Sequence, residues 1–433
     1  MSDQSVTFTA YPGIEPRMIT GTAAEPEDLD AYRRAGGYAP LTDTDQLLDD
    51  VDRAGVRGRG GAAFPIARKI TAVRGADGVV VANGEEGEPA SIKDRWLLRH
   101  RPHLVLDGLR LAGQMAGSSR LHVYVSDQVS ASSIEHAIDE LTSLPDSQSW
   151  ASRVGVTVVE PAYVAGEETA VVQALNGGKA VPTDKPPRPF EAGVDGLPTL
   201  VSNVETLANL PIVQRLGHAE YGSEGTEGCP GTFLLTLTGR RSAGLYEVPY
   251  GLTLRAVLDW LDEDASEVGG LMMGGYFSGI ASVDILDVPL DYDAMRSVGS
   301  GLGCGAVGVL ASDSCPVAVS AELMAYFARE NAGQCGSCFN GTAAMSAVLG
   351  ALTDHQAEAS DVERLRHWST FLPGRGACGT LDGASNVAAS LLRNFPLAID
   401  AHIEGRCDTC AAGDRPTVPP FAIAYAAPQE VPS

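Results

Sequence analysis

The chain is short of positive charge, of cysteine and of long apolar runs, and each shortage excludes something. Against 55 Asp and Glu it carries 31 Lys and Arg, a formal net charge of -24. A nucleic-acid partner would need a basic face, and an anionic membrane surface would repel this chain. No apolar run reaches membrane-spanning length, and Met1-Ser2-Asp3-Gln4-Ser5 lacks the charged-then-apolar opening of a signal peptide. Direct membrane insertion is therefore not expected, and a cytoplasmic location is. Eight cysteines in 433 residues are too sparse for a disulfide scaffold. A phosphate-binding Gly-Lys-Ser/Thr is also absent, since Gly178-Lys179 is followed by Ala180.

What remains is an ordinary globular composition, 44% hydrophobic and 20% charged, long enough for two or three domains. The informative stretch is Gly58-Arg59-Gly60-Gly61-Ala62-Ala63-Phe64-Pro65-Ile66-Ala67-Arg68-Lys69, a glycine-rich turn followed by two cations. It is paired with Val79-Val80-Val81-Ala82-Asn83-Gly84-Glu85-Glu86-Gly87-Glu88-Pro89, an apolar run ending in an acidic loop. Glycines let the backbone approach a phosphate and present its N–H groups, and Lys69 adds a point charge. The acidic loop accepts from hydroxyls or ring N–H groups. A cationic end and an anionic end together suit a flavin or nicotinamide nucleotide. Gly58, Gly60 and Ala63 fit only the loosest dinucleotide spacing, because they follow a polar helical stretch, Asp43 to Ala54, and not a strand.

From Leu41 onward helix and strand alternate. A helix is expected from Pro102 through Leu104–Ala112, strands at Leu121–Val125 and Val154–Val159, and a helix near Ser132–Leu144. Such alternation predicts a layered α/β domain with a largely parallel sheet. A Gly/Glu/Ser-rich break at Gly222–Gly231 precedes a short β-rich module starting at Thr232. From Val317 the pattern is helical, with Ala321–Glu330, Gly341–Leu352, Asp361–Phe371 and Ser385–Asn394 predicting a four-helix bundle. The expected domains are an N-terminal arm (1–40), an α/β domain (41–218), a β-rich domain (219–316), a helical domain (317–410) and an Ala/Pro-rich flexible tail (411–433).

The two opening segments resemble the flavin-binding loops of the NADH-oxidising flavoprotein subunit of respiratory complex I and its stand-alone relatives. The likeness continues in order through Tyr163-Val164-Ala165-Gly166-Glu167-Glu168-Thr169, Lys185-Pro186-Pro187, Asn203-Val204-Glu205-Thr206-Leu207-Ala208-Asn209, Tyr246-Glu247-Val248-Pro249 and Gly333-Gln334-Cys335-Gly336-Ser337-Cys338. The resemblance implies an FMN-binding α/β domain, a small β-grasp (ubiquitin-like) scaffold domain and a helical iron–sulfur domain. Carried over by position, Gly58, Gly60, Lys69, Asn83, Glu85, Tyr163, Gly166, Glu167, Ser202 and Asn203 match FMN contacts, with Ser202 replacing a more usual Asn. Phe64, Glu88, Glu168 and Lys185 match dinucleotide contacts. Arg188 stands where the family has a second adenine-stacking Phe, and Ala72 where a third aromatic is usual. Arg can stack on a purine or pair with a phosphate, so Arg188 points to a pocket weakened for NADH or turned toward NADPH, the alternative being an ordinary surface arginine.

In the same way, Cys335, Cys338 and Cys378 match three ligands of a [4Fe–4S] cluster, but the first ligand position of the loop is Ala332. Three readings stay open. A cluster could take its fourth ligand from Asn331, Cys407, Cys410 or a water; the pairs Cys335/Cys338 and Cys407/Cys410 could build a zinc site; or the cluster could be lost, leaving small buried hydrophobes. Cys229, Cys304 and Cys315 stand alone and read as structural. The implied activity is electron transfer from NADH or NADPH through FMN, and a cluster if present, to a ferredoxin-like or thioredoxin-like iron–sulfur partner within a small complex. The alternatives are a non-catalytic docking protein that keeps the fold, or a flavoprotein reduced by another donor.

Overall fold

The computed structural model describes residues 6–20, 26–413, 416 and 418–425. Four parallel strands form the first sheet: β2 (Val79–Asn83), β3 (Arg120–Val125), β4 (Val154–Val158) and β5 (Thr199–Asn203) in the order β4-β3-β2-β5. The valines of β2 are fully buried, as a β-branched run between two helical layers should be. Helix Pro102–Ala116 starts on a proline whose missing N–H costs nothing at that position, and ends at Gly117 in the left-handed region. It runs buried over nearly its whole surface between the sheet and helix Val204–Tyr221.

The chain steps outward from β2 to β3 to β4 and then returns to the other side of β2 to form β5. The strand order therefore reverses between β2 and β5, and a crevice opens at the carboxyl ends of such neighbours. Asn83 and Asn203 are register partners at those ends.

A second, six-stranded mixed sheet has the order β1-β7-β6-β10-β8-β9, where β1 is Thr7–Ala10, β6 Thr232–Thr238, β7 Ala243–Pro249, β8 Val268–Met273, β9 Ile280–Ala281 and β10 Ala306–Ala311. Helix Leu254–Trp260 sinks Leu254, Val257 and Leu258 into its core. The N-terminal segment expected as an arm contributes β1, which pairs in parallel with β7. Its next turn is held by the buried Glu247 carboxylate, which accepts from the Arg17, Met18 and Ile19 N–H groups.

The helical domain contains Pro316–Glu330, Gly336–Thr353, Ala359–Phe371 and Thr380–Asn394, with two shorter helices, Pro396–Ile403 and Asp408–Ala411, after them. The expected flexible tail needs correction over the residues that are described. Tyr276 OH donates to Pro420 O, and Thr238 Oγ1 donates to Phe421 O at 3.2 Å. Tyr425 OH lies 2.6 Å from His100 Nε2 beneath the Arg99 guanidinium. Aromatic residues in a proline-rich stretch bury apolar area and dock it as a strap. Residues 414, 415, 417 and 426–433 of the expected tail lie outside the described residues.

Candidate functional site

The Gly58–Phe64 turn closes on itself through Gly58 N–H to Phe64 O, 2.9 Å, with Arg57 bridging to Pro65. Gly61 has φ +109°, a conformation that strongly favours glycine. Arg59 is not a ligand arm. It is buried, its N–H donates to Thr206 Oγ1, its guanidinium donates to Thr232 O, and it lies over the Tyr250 ring. The turn is thereby pinned between the two sheets, and helix Ile66–Val73 behind it carries Lys69.

Two adjoining cavities open at the β2–β5 crevice. The inner one, about 690 Å³, takes in Asn83, Glu85, Glu88, Tyr163 and Lys93 among its walls. The outer one, about 540 Å³, takes in Gly58, Phe64, Lys69, Glu168, Lys185, Arg188 and Ser202. Gly60, Asn83, Gly166, Glu167 and Asn203 line both. The fifteen positions expected to hold flavin and nucleotide thus all fall on these two walls. Volumes of this order suit small-molecule and cofactor sites.

The inner floor is a buried charge network. Lys93 Nζ lies 2.6 Å from Asp94 Oδ1, 3.1 Å from Glu205 Oε2 and 3.3 Å from Asn203 Oδ1. Asn203 Nδ2 donates to Asp94 Oδ2 at 2.7 Å, and Asn83 Nδ2 donates to Gly166 O at 2.8 Å. Both asparagines are thus locked at the strand ends. Burial opposes the Lys93 ammonium, yet Asp94 and Glu205 hold it above its ordinary range. Burial pushes the Asp94 carboxyl up to about 7. Sequence reasoning missed Lys93, Asp94 and Glu205; the signal was a Lys-Asp pair opening the buried helix Lys93–His100.

The three glutamates of the acidic loop divide their work. Glu86 accepts from the Asp94 and Arg95 N–H groups and from Ser91 Oγ, capping the helix. Glu88 accepts from the backbone N–H of Tyr276, and burial raises its carboxyl to about 7. Glu85 is the one turned inward, and burial raises it to about 8, with the Glu86 charge adding to the effect. At neutral pH it carries a proton and can donate as well as accept.

In the outer cavity Glu167 caps helix Glu168–Leu175 through the Thr169 N–H. Lys185 Nζ sits 2.7 Å from Glu167 and 3.0 Å from Glu168, and Lys69 Nζ 3.7 Å from Glu168. Burial lowers the Lys69 ammonium from its usual value, against the pull of Glu168. An incoming phosphate would take over from a carboxylate already paired there. Phe64 and Phe190 are each more than two-fifths exposed in the same wall. Sequence reasoning missed Phe190, which stands two residues beyond Arg188 and supplies an aromatic ring close to where the family pattern places one.

FMN fits these residues. Glu85 Oε1 is buried and has no hydrogen-bond partner among the described residues, an orphan that a cofactor N–H or carbonyl can satisfy. A Cβ at Gly166 would come within 2.5 Å of Glu85 Oε2, so a side chain there would displace the Glu85 carboxyl from its place.

Cys335, Cys338 and Cys378 converge on a small pocket with Ala332, Gln334 and Pro182 in its wall. Cys378 and Thr380 line this pocket and the inner cavity alike. Three thiols in one pocket are the donor set for three corners of a cluster, and among the described residues no fourth cysteine lines the pocket. Of the other fourth ligands considered, Asn331 is committed as a loop cap: its Nδ2 donates to Ala328 O and its Oδ1 accepts from Gly333 N–H. Cys407 and Cys410 are also elsewhere. They meet Cys315 and His402, all four ligand atoms lying within 4.8 Å of one another. The zinc site built from two Cys-x-x-Cys pairs is therefore not formed, and Cys315 does not stand alone. Sequence reasoning missed His402, although it stands five residues before Cys407, and that His-x4-Cys-x2-Cys spacing was the signal that could have found it.

The described residues contain no helix long and apolar enough to cross a membrane. Residues 51–212 match the Nuo51 FMN-binding domain, and residues 318–402 match the NADH-ubiquinone oxidoreductase-F iron–sulfur binding region. The chain is 31% identical to the second NADH-quinone oxidoreductase F protein of Rhizobium meliloti, over 87% of this chain and 95% of that one. It is 30% identical to the NADP-reducing hydrogenase protein HndC of Solidesulfovibrio fructosivorans, over 88% and 82%. Its fold matches an NAD+-reducing [NiFe]-hydrogenase in the H2-reduced state with a TM-score of 0.76 at 29% identity, covering 83% of this chain and 63% of that one. With the glycine turn, the acidic loop and the cysteine pocket in their places, the chain belongs to the NADH-quinone oxidoreductase F family.

Proposed function

We propose that this protein is the nicotinamide-oxidising flavoprotein of a multi-subunit assembly, delivering electrons to a ferredoxin-like or thioredoxin-like iron–sulfur partner in the cytoplasm. The observation that carries the reading is the pair of cavities joined at Gly60, Asn83, Gly166, Glu167 and Asn203. Together the two joined chambers have the buried polar floor, cations and rings for FMN beside a dinucleotide, with the FMN positions Gly58, Lys69 and Ser202 in the outer wall and the dinucleotide position Glu88 in the inner one. When bound, FMN supplies the conversion of a two-electron donor into one-electron steps.

The chain's own task is positioning. Asn83 and Asn203, fixed by Gly166 O and Asp94, present one face of the crevice. Lys69 offsets phosphate charge, while Glu85, protonated at neutral pH, holds a proton toward the inner chamber. Phe64 and Phe190 offer rings for a purine, and Lys185 with Arg188 offers charge for the diphosphate or a 2′-phosphate. Cys335, Cys338 and Cys378 would hold a cluster, with Cys378 on the boundary of the flavin chamber.

Anaerobic titration of the flavin-loaded protein tests this directly. Stoichiometric bleaching of the flavin band by NADH or NADPH is expected. A flavin that stays oxidised under both donors would exclude the dehydrogenase reading and leave another donor or a docking role.

A further inference from the structure

We propose that Cys315, His402, Cys407 and Cys410 form a closed structural zinc site, separate from the cluster pocket. His402 Nε2 lies 3.4 Å from the Cys315 sulfur and 3.4 Å from the Cys410 sulfur, and Cys407 Sγ lies 3.8 Å from Cys315 Sγ. A tetrahedral zinc with its usual bond lengths sets ligand sulfurs about 3.8 Å apart and a nitrogen about 3.6 Å from each sulfur. The observed edges match that polyhedron before any ion is placed in it. A four-iron cube spreads its cysteine sulfurs around an eight-atom body, which four ligand atoms within 4.8 Å of one another cannot surround.

The donor chemistry agrees. His402 Nδ1 lies 2.6 Å from Ala398 O, and a carbonyl can only accept, so the ring proton sits on Nδ1. The Nε2 lone pair is left facing the three sulfurs, with the orienting hydrogen bond that metal-bound histidines use. His355 stacks on the ring at 5.4 Å and lies 3.2 Å from His402 O, which fixes the imidazole further. Three soft thiolates and one imidazole in tetrahedral array select zinc among common ions. Cys315, Cys410 and His402 are buried and Cys407 is half-buried, and four protein ligands fill a tetrahedron and leave no open coordination position for substrate. On binding, three S–H bonds break and three Zn–S bonds form beside one Zn–N bond. Three protons leave, and no oxidant or reductant is needed.

The site joins three places that otherwise share little. Cys315 precedes helix Pro316–Glu330, His402 lies in the last turn of Pro396–Ile403, and Cys407 and Cys410 bracket the start of Asp408–Ala411. It closes the helical domain end to end and anchors the chain just before the strap at 418–425 crosses the body.

Elemental analysis of the purified full-length protein tests the assignment. About one zinc per chain is expected, alongside any iron. Cys407→Ser/Cys410→Ser should lose the zinc, while Cys335→Ser/Cys338→Ser should keep it. Because the first variant can fail to fold, cobalt exchange of the unmutated protein provides a second readout: intense tetrahedral d–d bands with thiolate-to-cobalt charge transfer. Absence of zinc, iron in its place, zinc that follows Cys335 and Cys338, or a cobalt spectrum without thiolate bands would each overturn the proposal.

Discussion

Glu88 Oε2 accepts a hydrogen bond from the backbone N–H of Tyr276 at 2.9 Å, joining the acidic loop to the turn between β8 and β9 of the second sheet across 188 residues of chain. The same carboxylate takes the Ala90 N–H at 3.3 Å. Glu88 therefore holds one wall of the inner cavity against a different layer of the fold. Truncation leaves a partly buried N–H unanswered, so Glu88→Ala should cost about 1–3 kcal/mol of stability. Glu88→Gln, which keeps an acceptor oxygen, should cost distinctly less. Denaturant unfolding of the two variants checks this, and equal stability of Glu88→Ala and the parent would remove the tie from the account.

Glu85 makes stability depend on pH in a definite direction. Burial raises its carboxyl from the usual 4.5 to about 8. A group raised in the folded state stabilises fully below its unfolded pKa, and that contribution is lost as pH rises through the folded pKa. Flavin-free protein should thus lose about 4–5 kcal/mol from this group as pH rises from below 4 to above 8. Glu85→Gln is uncharged throughout and should flatten that part of the profile. Melting curves across this range, parent against variant, decide it; parallel profiles would mean that Glu85 is charged in the fold.

Much of this is legible in the sequence because the crevice is built from local chemistry. The valine run of β2, the asparagine that ends it and the glycine turn each carry their own signal, and the parallel register then brings Asn83 to Asn203. Contacts between distant segments carry none. Lys93 reads as an ordinary helix-start lysine until Glu205 is brought to it from 112 positions away. Cys315 likewise means nothing until the helical domain folds back and brings it to His402, Cys407 and Cys410. The strap at 418–425 reads as a tail because its proline content outweighs Phe421 and Tyr425, whose rings find apolar ground only in the assembled body.

Nucleotide choice should turn on Arg188 and Phe190, which share the outer wall with Phe64. Arg188 donates its backbone N–H to Glu191 Oε2 at 2.7 Å, which anchors the main chain there. A guanidinium can pair bidentately with a phosphate, a contact that NADH cannot make at its 2′-hydroxyl. Arg188→Ala should raise the KM for NADPH about tenfold and leave that for NADH within about twofold, a difference of about 1.4 kcal/mol. Phe190→Ala should raise both together, since either donor carries the adenine. Steady-state kinetics with each donor separate the two effects, and an unchanged NADH/NADPH ratio in Arg188→Ala would exclude selection by this side chain.

Ala332 stands at the missing corner of the cysteine pocket, in the same wall as Cys335, Cys338 and Cys378. With Asn331 tied to the backbone and Cys407 and Cys410 committed elsewhere, a cluster here has three thiolates and one iron held by an exchangeable ligand such as water. That iron is the one oxidation should remove first. Ala332→Cys supplies a fourth thiolate on the existing loop, where the small half-buried alanine leaves room for a sulfur. After reconstitution and brief exposure to air, the parent should fall from about four irons per chain toward three, and Ala332→Cys should hold about four. Iron and acid-labile sulfide assays, with electron paramagnetic resonance to identify the oxidised species, read the difference. Equal iron loss from both proteins would mean that the fourth corner is already filled by a ligand other than the residues in this wall.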